Sequence, residues 1–579
     1  MKHNIAYRLS VGLCAGIMLA GCELTKIPED TISPELFLKN AAQMEMWTNE
    51  FYNQLNDAEG TASLSADDNI GNSIGEIMMG QRTAANESGW TWNRLRDINY
   101  FLQHSSNCND AAVRGQYEGV ALFHRAYFYF VKVRRYGEVP WYDQVIGSAD
   151  TELLFRPRDS REYVMQNIMD DLDKATSDGY LPTKKDLVHV TRWTALALKS
   201  RIALFEGTFR KYHGIDGADK YLKLAAEAAD EFMKNSGYSL AKSGDTPYRT
   251  LFNSFDADPT EVVLARKYDV KASVTHGVQF LIINNRQGFT RRYMNHYLMA
   301  DGSYFSAQPG YETMEFKDEV ANRDPRLSQT VLCPGYIQKG STQVLPNTLN
   351  ALTGYQPIKY VGEVAYDGAN KSYVDFPLFR SAEVYLNYAE AKAELGTLNQ
   401  DDLDRSVNLL RDRVGMPKLD MAKANSNPDP LMKDYYPNVT KSANTGVILE
   451  IRRERTIELC MEGFRIWDIM RWKEGMQLTR PFYGCYFHGE GQYDMDGDGQ
   501  ADLLLYTSDK GSFKGTVKKL DQDVILTNGT SGYIHALKSI PVKWNEDRDY
   551  LYPIPASERV ITRGALTQNP GWNDGLSFQ

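Results

Sequence analysis

A mainly α fold, a frame of paired helices carrying loop-rich, partly β elaborations, is what this 579-residue sequence predicts. Three observations carry that expectation. Apolar residues recur at three- and four-residue steps through the long segments of the first half and again after residue 380, the period of a helical face. Small residues occupy contact positions inside those segments, as in Ala195, Ala197, Ser200 and Ala203, where helices can approach closely. Between residues 238 and 375, and from 476 to 579, the period fades. Gly, Asn, Asp, Thr and aromatic residues dominate there instead.

In chain order, residues 1–21 read as a signal peptide of the lipoprotein type. Met1 to Ser10 carries Lys2, His3 and Arg8 and no acid, and Leu9 to Ala20 is almost wholly apolar. A positive region before about a dozen apolar residues is a secretory signal. It is too short for a membrane span, which takes about 20. Leu19-Ala20-Gly21-Cys22 resembles the bacterial lipobox, which implies an acylated Cys22 at the mature N-terminus and a tether over Glu23 to Ser33. Several acyl chains anchor a protein where a single myristoyl chain does not. No later stretch approaches eighteen unbroken apolar residues, so no transmembrane helix is expected.

The N-terminal half, 22–250, then supplies helices over 113–137, 160–176, 191–207 and 217–237. Val120, Phe123, Tyr127 and Phe130 share a face of the first, which Gly137 and Pro140 end. The C-terminal half, 251–579, opens on the loop-rich insertion and pairs helices over 381–396 and 401–415. Its longest helix is expected over 448–475. Ile457, Cys460, Met461, Phe464 and Trp467 form a buried stripe there. Arg455, Glu458, Glu462, Arg465 and Asp468 follow at steps that let opposite charges pair along the helix. Short apolar runs such as "DLLLY" at 502–506 supply the β content. Helix pairs with alanines at their contacts resemble tetratricopeptide units, though unevenly spaced.

A formal net charge of −10 with no basic run argues against a nucleic-acid partner. The 35 tyrosines and nine tryptophans suit sugar rings as well as protein interfaces, since each has an apolar face and a polar edge. Cys14 leaves with the signal and Cys22 is acylated. Cys108, Cys333, Cys460 and Cys485 have no C-x-x-C spacing and are expected as free, mostly buried thiols.

Catalytic motifs are weak. "GNSIG" at 71–75 matches G-x-S-x-G, but the polar "SADDNI" before Ser73 is no central strand, as a nucleophile elbow requires. Glu458 and Glu462 on a single helix face cannot flank a sugar as glycosidase carboxylates must. A cation site is the surviving possibility. Asp494, Asp496, Asp498, Gln500 and Asp502 stand at positions 1, 3, 5, 7 and 9 of a calcium-type loop, with Gly499 at 6. Leu505 replaces the bidentate Glu at position 12, so a bound Ca2+ and a solvated acidic turn are both open readings.

A family resemblance emerges from Arg452-Arg453-Glu454-Arg455, Glu458-Leu459, Glu462-Gly463-Phe464-Arg465, Trp467-Asp468 and Arg471-Trp472. "RSAEVYLNYAEAKAELG" (380–396), "YPIPASERVITRGALTQNPGW" (552–572), "LRDINYFLQ" (95–103), "HRAYFYFVKVRRYGEVPW" (124–141) and "RWTALALKSRIALFEG" (192–207) agree with it. Together they resemble SusD/RagB proteins over nearly the whole mature chain. The resemblance implies a non-enzymatic outer-membrane lipoprotein of Bacteroidetes that binds a glycan. It would act with a SusC-like TonB-dependent transporter, as a lid over its barrel. The same fold binding peptide or glycopeptide is the alternative, and a surface hydrolase is the alternative of another class. Three residues are singled out for ligand contact. Trp90 precedes the first apolar-periodic residues and is expected to face outward, with Trp92 starting the buried face. Asp67 lies in a polar loop where some relatives contact ligand, and Tyr304 lies in the loop-rich insertion.

Overall fold

The computed structural model describes residues 37–578. The signal segment, Cys22 and the tether lie outside them. Polar caps set the helix starts. Asp110 accepts from the Ala112 and Val113 N–H groups at the head of α1 (Ala111–Tyr136), and Ser160 accepts from Tyr163 N–H at α2 (Arg161–Thr176). Thr191 and Thr194 form a capping box at α3 (Arg192–His213), which runs on past the expected end at 207. α4 (Ala218–Asn235) packs back along α3, and Gly207 is what permits the approach. A Cβ there would come within 2.8 Å of the Leu222 backbone nitrogen.

The loop-rich insertion is closed by β1 (Val262–Arg266), which pairs antiparallel with β2 (Phe376–Arg380). α5 (Ser381–Leu395) follows β2 directly and packs on α3 and α4. The single helix expected over 401–415 is two, Gln400–Asp404 and α6 (Val407–Arg413), because Ser406 leaves helical geometry (φ −135°, ψ −94°).

The helix expected over 448–475 is likewise broken, into α7 (Thr445–Glu458) and α8 (Arg465–Arg471). Met461 (φ 58°) and Gly463 (φ 82°) adopt left-handed backbone between them. Side chains take over the carbonyls that a continuous helix would have used. Tyr248 Oη and Arg380 Nη2 donate to the Glu458 carbonyl (2.9 and 2.8 Å), and Lys359 Nζ donates to that of Cys460 (2.8 Å). The charged residues are ion-paired, but mostly across the chain rather than along a helix. Arg413, Arg380 and Arg326 all reach the fully buried Glu458 carboxylate, while Lys359 and Arg380 reach Glu462. Arg455 pairs with Asp468 (2.8 Å) across the break.

After α8 come β3 (Phe482–Phe487), then β4 (Gly491–Tyr493), β5 (Leu503–Tyr506), β6 (Thr516–Lys519) and β7 (Gly532–Ala536). β3 pairs antiparallel with β7; β4–β5 is antiparallel and β5–β6 parallel. The main core draws on both expected halves, placing Phe123 and Phe130 with Val263, Phe379 and Ile554. Cys108, Cys333, Cys460 and Cys485 are free and buried, as expected. Among the described residues no helix is long and apolar enough to cross a membrane.

Candidate functional site

A break in strand alternation builds the candidate site. Along a regular strand, residues three apart face opposite ways. In β3 the register shifts between Tyr483 and Tyr486, so Gly484 and Cys485 are both buried and the two tyrosines emerge half-buried on a single side. Gly484 is required at the bulge. A Cβ there would lie 1.9 Å from the Thr353 carbonyl oxygen, which accepts from Cys485 N–H at 2.9 Å. On β7, regular alternation turns Tyr533 and His535 outward beside them.

Tyr483 and Tyr533 stack at 5.6 Å and 27°, forming one wall of a cavity of about 320 Å³. Tyr311 and Tyr435, the latter at the end of helix Pro430–Tyr435, contribute further aromatic lining. The polar lining comes from the helical turn Arg291–Met294, capped by Thr290, and from Gln477. Arg292 donates to Gln477 Oε1 (2.8 Å) and to the Tyr435 carbonyl (2.7 Å), with its guanidinium 4.2 Å from the Tyr435 ring centre. Arg291 lies 4.5 Å from the Tyr533 ring centre and donates to the Tyr311 carbonyl (2.6 Å). Apolar faces beside fixed polar groups are what a small polar ligand needs.

Asp67 also lines this cavity, but its carboxylate is engaged. It accepts from Arg465 Nε and Nη2, both at 2.6 Å, and lies 2.9 Å from Arg292 Nε. Burial would raise its pKa, but the Arg465 and Arg292 charges reverse that and hold it at about 2. The neighbouring Asp68 is pushed up to about 7, by burial first and then by the Asp67 charge. Asp67 therefore fixes arginines beneath the cavity.

The three expected contact residues do not converge. Trp90 is buried, packed edge-on against Tyr136 (4.9 Å) and Trp92 (5.3 Å), which corrects the outward orientation expected of it. The segment is tied to α1 at several points: Lys132 Nζ donates to the Gly89 carbonyl (2.6 Å), and Arg135 and the Tyr136 hydroxyl both donate to Glu87 Oε1 (2.7 Å). Trp92, at the N-cap of helix Asn93–His104, is half-buried and packs on the main core, 5.6 Å from both Phe128 and Tyr142. Trp90 and Trp92 line a separate cavity of about 300 Å³. Tyr304 lines a further one of about 270 Å³, where its hydroxyl donates to the Asn427 carbonyl (3.0 Å). Tyr483, Tyr533, Tyr435 and Arg292 were not among the expected residues. For Tyr483 the available signal was the glycine inside "FYGCYF", since an isolated glycine in a strand marks a bulge; Tyr533, Tyr435 and Arg292 lie outside that segment.

In the acidic loop, Asp494, Asp496 and Asp502 bring carboxylate oxygens within 4.8 Å of one another. Asp498 turns aside to accept from the Gln500 backbone N–H (2.7 Å).

Residues 261–572 match the model of the SusD family, over half of the chain. The chain belongs to the SusD/RagB family. Residues 35–204 of this SusD-family protein match a second model, described as starch-binding associating with outer membrane. SusD-like protein P2 of Formosa agariphila is 23% identical over 504 residues, covering 80% of this chain and 90% of that one. A solved SusD-like protein of Bacteroides fragilis superposes with a TM-score of 0.68 at 22% identity, covering 93% of this chain and 98% of its own. A SusD-like carbohydrate-binding protein of the same organism gives 0.66 at 19%, covering 91% and 99%. The helical frame is thus that of the family's solved members.

Proposed function

We propose that this SusD-family protein captures a glycan at the outer membrane, without cleaving it, for uptake through a SusC-like TonB-dependent transporter. The tyrosine-walled cavity with its polar lining carries the reading, because sugars present apolar ring faces and hydroxyl edges to such walls. The family membership and the carbohydrate-binding relative support it. Calorimetry against a panel of polysaccharides tests it. Tyr533→Ala should weaken binding by about 1–3 kcal/mol, the scale of a buried aromatic contact, with melting unchanged. Unchanged affinity would move the site elsewhere, and release of cleaved sugar would favour a hydrolase. The same titration of Trp90→Ala and Tyr304→Phe reads whether the other two cavities contribute.

Anchoring is assigned to an acylated Cys22. Cys22→Ala is expected to move the protein from the membrane fraction to the soluble one, with loss of lipid label. Retention in the membrane fraction would place the anchor elsewhere.

The acidic loop is proposed to hold Ca2+ through Asp494, Asp496 and Asp502. Burial, then the charges of Asp502, Asp498 and Asp494, raises the Asp496 pKa, a cost that a bound cation would reverse. Calcium should raise the melting temperature and chelator lower it. Asp496→Ala should melt alike in both; a wild type equally indifferent would leave only an acidic turn.

A further inference from the structure

We infer that the tyrosine-walled cavity is the head of an extended groove for an uncharged glycan chain of several sugar units, a conclusion that rests on the glycan reading above. Its first support is size. About 320 Å³ is at the lower limit of ligand pockets, roughly 300–1,000 Å³, and leaves no room for a long chain.

The second is an aromatic strip leading out of the cavity. Tyr533, on its wall, meets Tyr486 at 5.6 Å, and Tyr486 meets His488 at 5.1 Å. The bulge that put Tyr483 and Tyr486 on one side of β3 is what makes the strip continuous. Tyr486 is half-buried and the His488 side chain is 60% exposed, so ring surface beyond the cavity stays open to solvent.

The third is a polar atom without a partner. Asn295 lines the cavity and is only 7% exposed; its Nδ2 donates to Tyr435 Oη (2.9 Å) while its Oδ1 has no hydrogen bond. With the amide turned over, the nitrogen would be left instead. A hydroxyl, both donor and acceptor, answers either end. Most buried polar groups are paired, and of those left unpaired in this protein Asn295 Oδ1 belongs to a residue lining this cavity, where a ligand hydroxyl would answer it.

Charge selects the class of chain. Each arginine lining the cavity lies against a carboxylate: Arg291 against Glu319 (3.2 Å), Arg480 against Asp434 (2.5 Å), and Arg292 against the Asp67 that it shares with Arg465 (2.9 Å). Glu312 adds a further acid to the lining. A uronate or sulfate would find its counter-charges taken, whereas a neutral sugar needs none.

Calorimetry on the full chain with malto-, cello-, xylo- and mannohexaose, their disaccharides and hexagalacturonate provides the test. At least one neutral hexaose should bind tenfold or more tightly than its own disaccharide, and more tightly than hexagalacturonate. Tyr486→Ala and His488→Ala should each weaken the hexaose severalfold and leave the disaccharide alone, while Asn295→Ala weakens both. Equal binding of hexaose and disaccharide, or an indifferent Tyr486→Ala, would overturn the groove. Tighter binding of hexagalacturonate would overturn the uncharged class. Failure of every probe also overturns the groove, and if the polysaccharide panel is silent too, the glycan reading goes with it.

Discussion

Glu458→Gln should cost this protein about 3–5 kcal/mol at pH 7, the penalty for stranding buried charges by removing their partner. The Glu458 carboxylate is fully buried and accepts from Arg413 (2.7 Å, through both oxygens), Arg380 (2.7 Å) and Arg326 (3.2 Å). Burial alone would raise its pKa, but the three guanidinium charges hold it far below the carboxylate range. Glu390, under Arg471, and Asp67, under Arg465, are held at about 2 in the same way. The sign follows from proton uptake. These groups ionise near 4 in the unfolded chain, so their contribution is complete above about pH 4 and is lost as pH falls towards 2. The gap between wild type and Glu458→Gln should therefore narrow over that range. Asp68 and Glu474 run the other way. Their folded pKa values of about 7, raised chiefly by burial, give stability that is present at low pH and lost as pH rises through 7. Urea titrations of both proteins at pH 7, 4 and 2.5 check the prediction, and coincident midpoints at pH 7 would sink it.

Gly484→Ala is expected to destabilise by about 3 kcal/mol, the upper end of the range for overpacking. The new methyl would meet Thr353 backbone, with its oxygen at 1.9 Å and its carbonyl carbon at 2.6 Å, and neither is the yielding tip of a side chain. The strand must move away from residue 353, and Tyr483 and Tyr486 move with it. Glycan affinity should fall alongside the melting temperature, whereas Tyr533→Ala should lower affinity alone. A Gly484→Ala protein with wild-type melting would show that β3 gives way freely at the bulge.

The helical frame was legible because its information is local. A cap such as Ser160 or Thr191, an apolar face and a stop at Gly137 lie within a few turns of one another. The break between Glu458 and Arg465 was not, because its causes are Tyr248, Lys359 and Arg380, each far away in the chain. Charge spacing showed that Glu458 and Glu462 would be paired, but periodicity cannot tell a solvated face from a buried arginine cluster. The site suffered most. Trp90 and Trp92 differ by two residues, and their burial rests on ties to α1 from Lys132, Arg135 and Tyr136, some forty residues further along the chain. The tyrosines of β3 share a face only through the bulge, which reverses the alternation a reader would apply. Asp67 lines the tyrosine-walled cavity, where its carboxylate is engaged by Arg465 and Arg292.

The charge cluster around Glu458 also constrains how the chain comes to be folded. Glu261 and Glu458 share Arg380 and Arg413, yet Glu261 is synthesised roughly two hundred residues earlier. Until α7 arrives, these arginines and Glu261 are most stable in water, and the surface they will occupy has no reason to close. A nascent chain ending before residue 458 has Glu261 alone to answer both Arg380 and Arg413. Any cut between Glu261 and Glu458 parts the two carboxylates that Arg380 and Arg413 share.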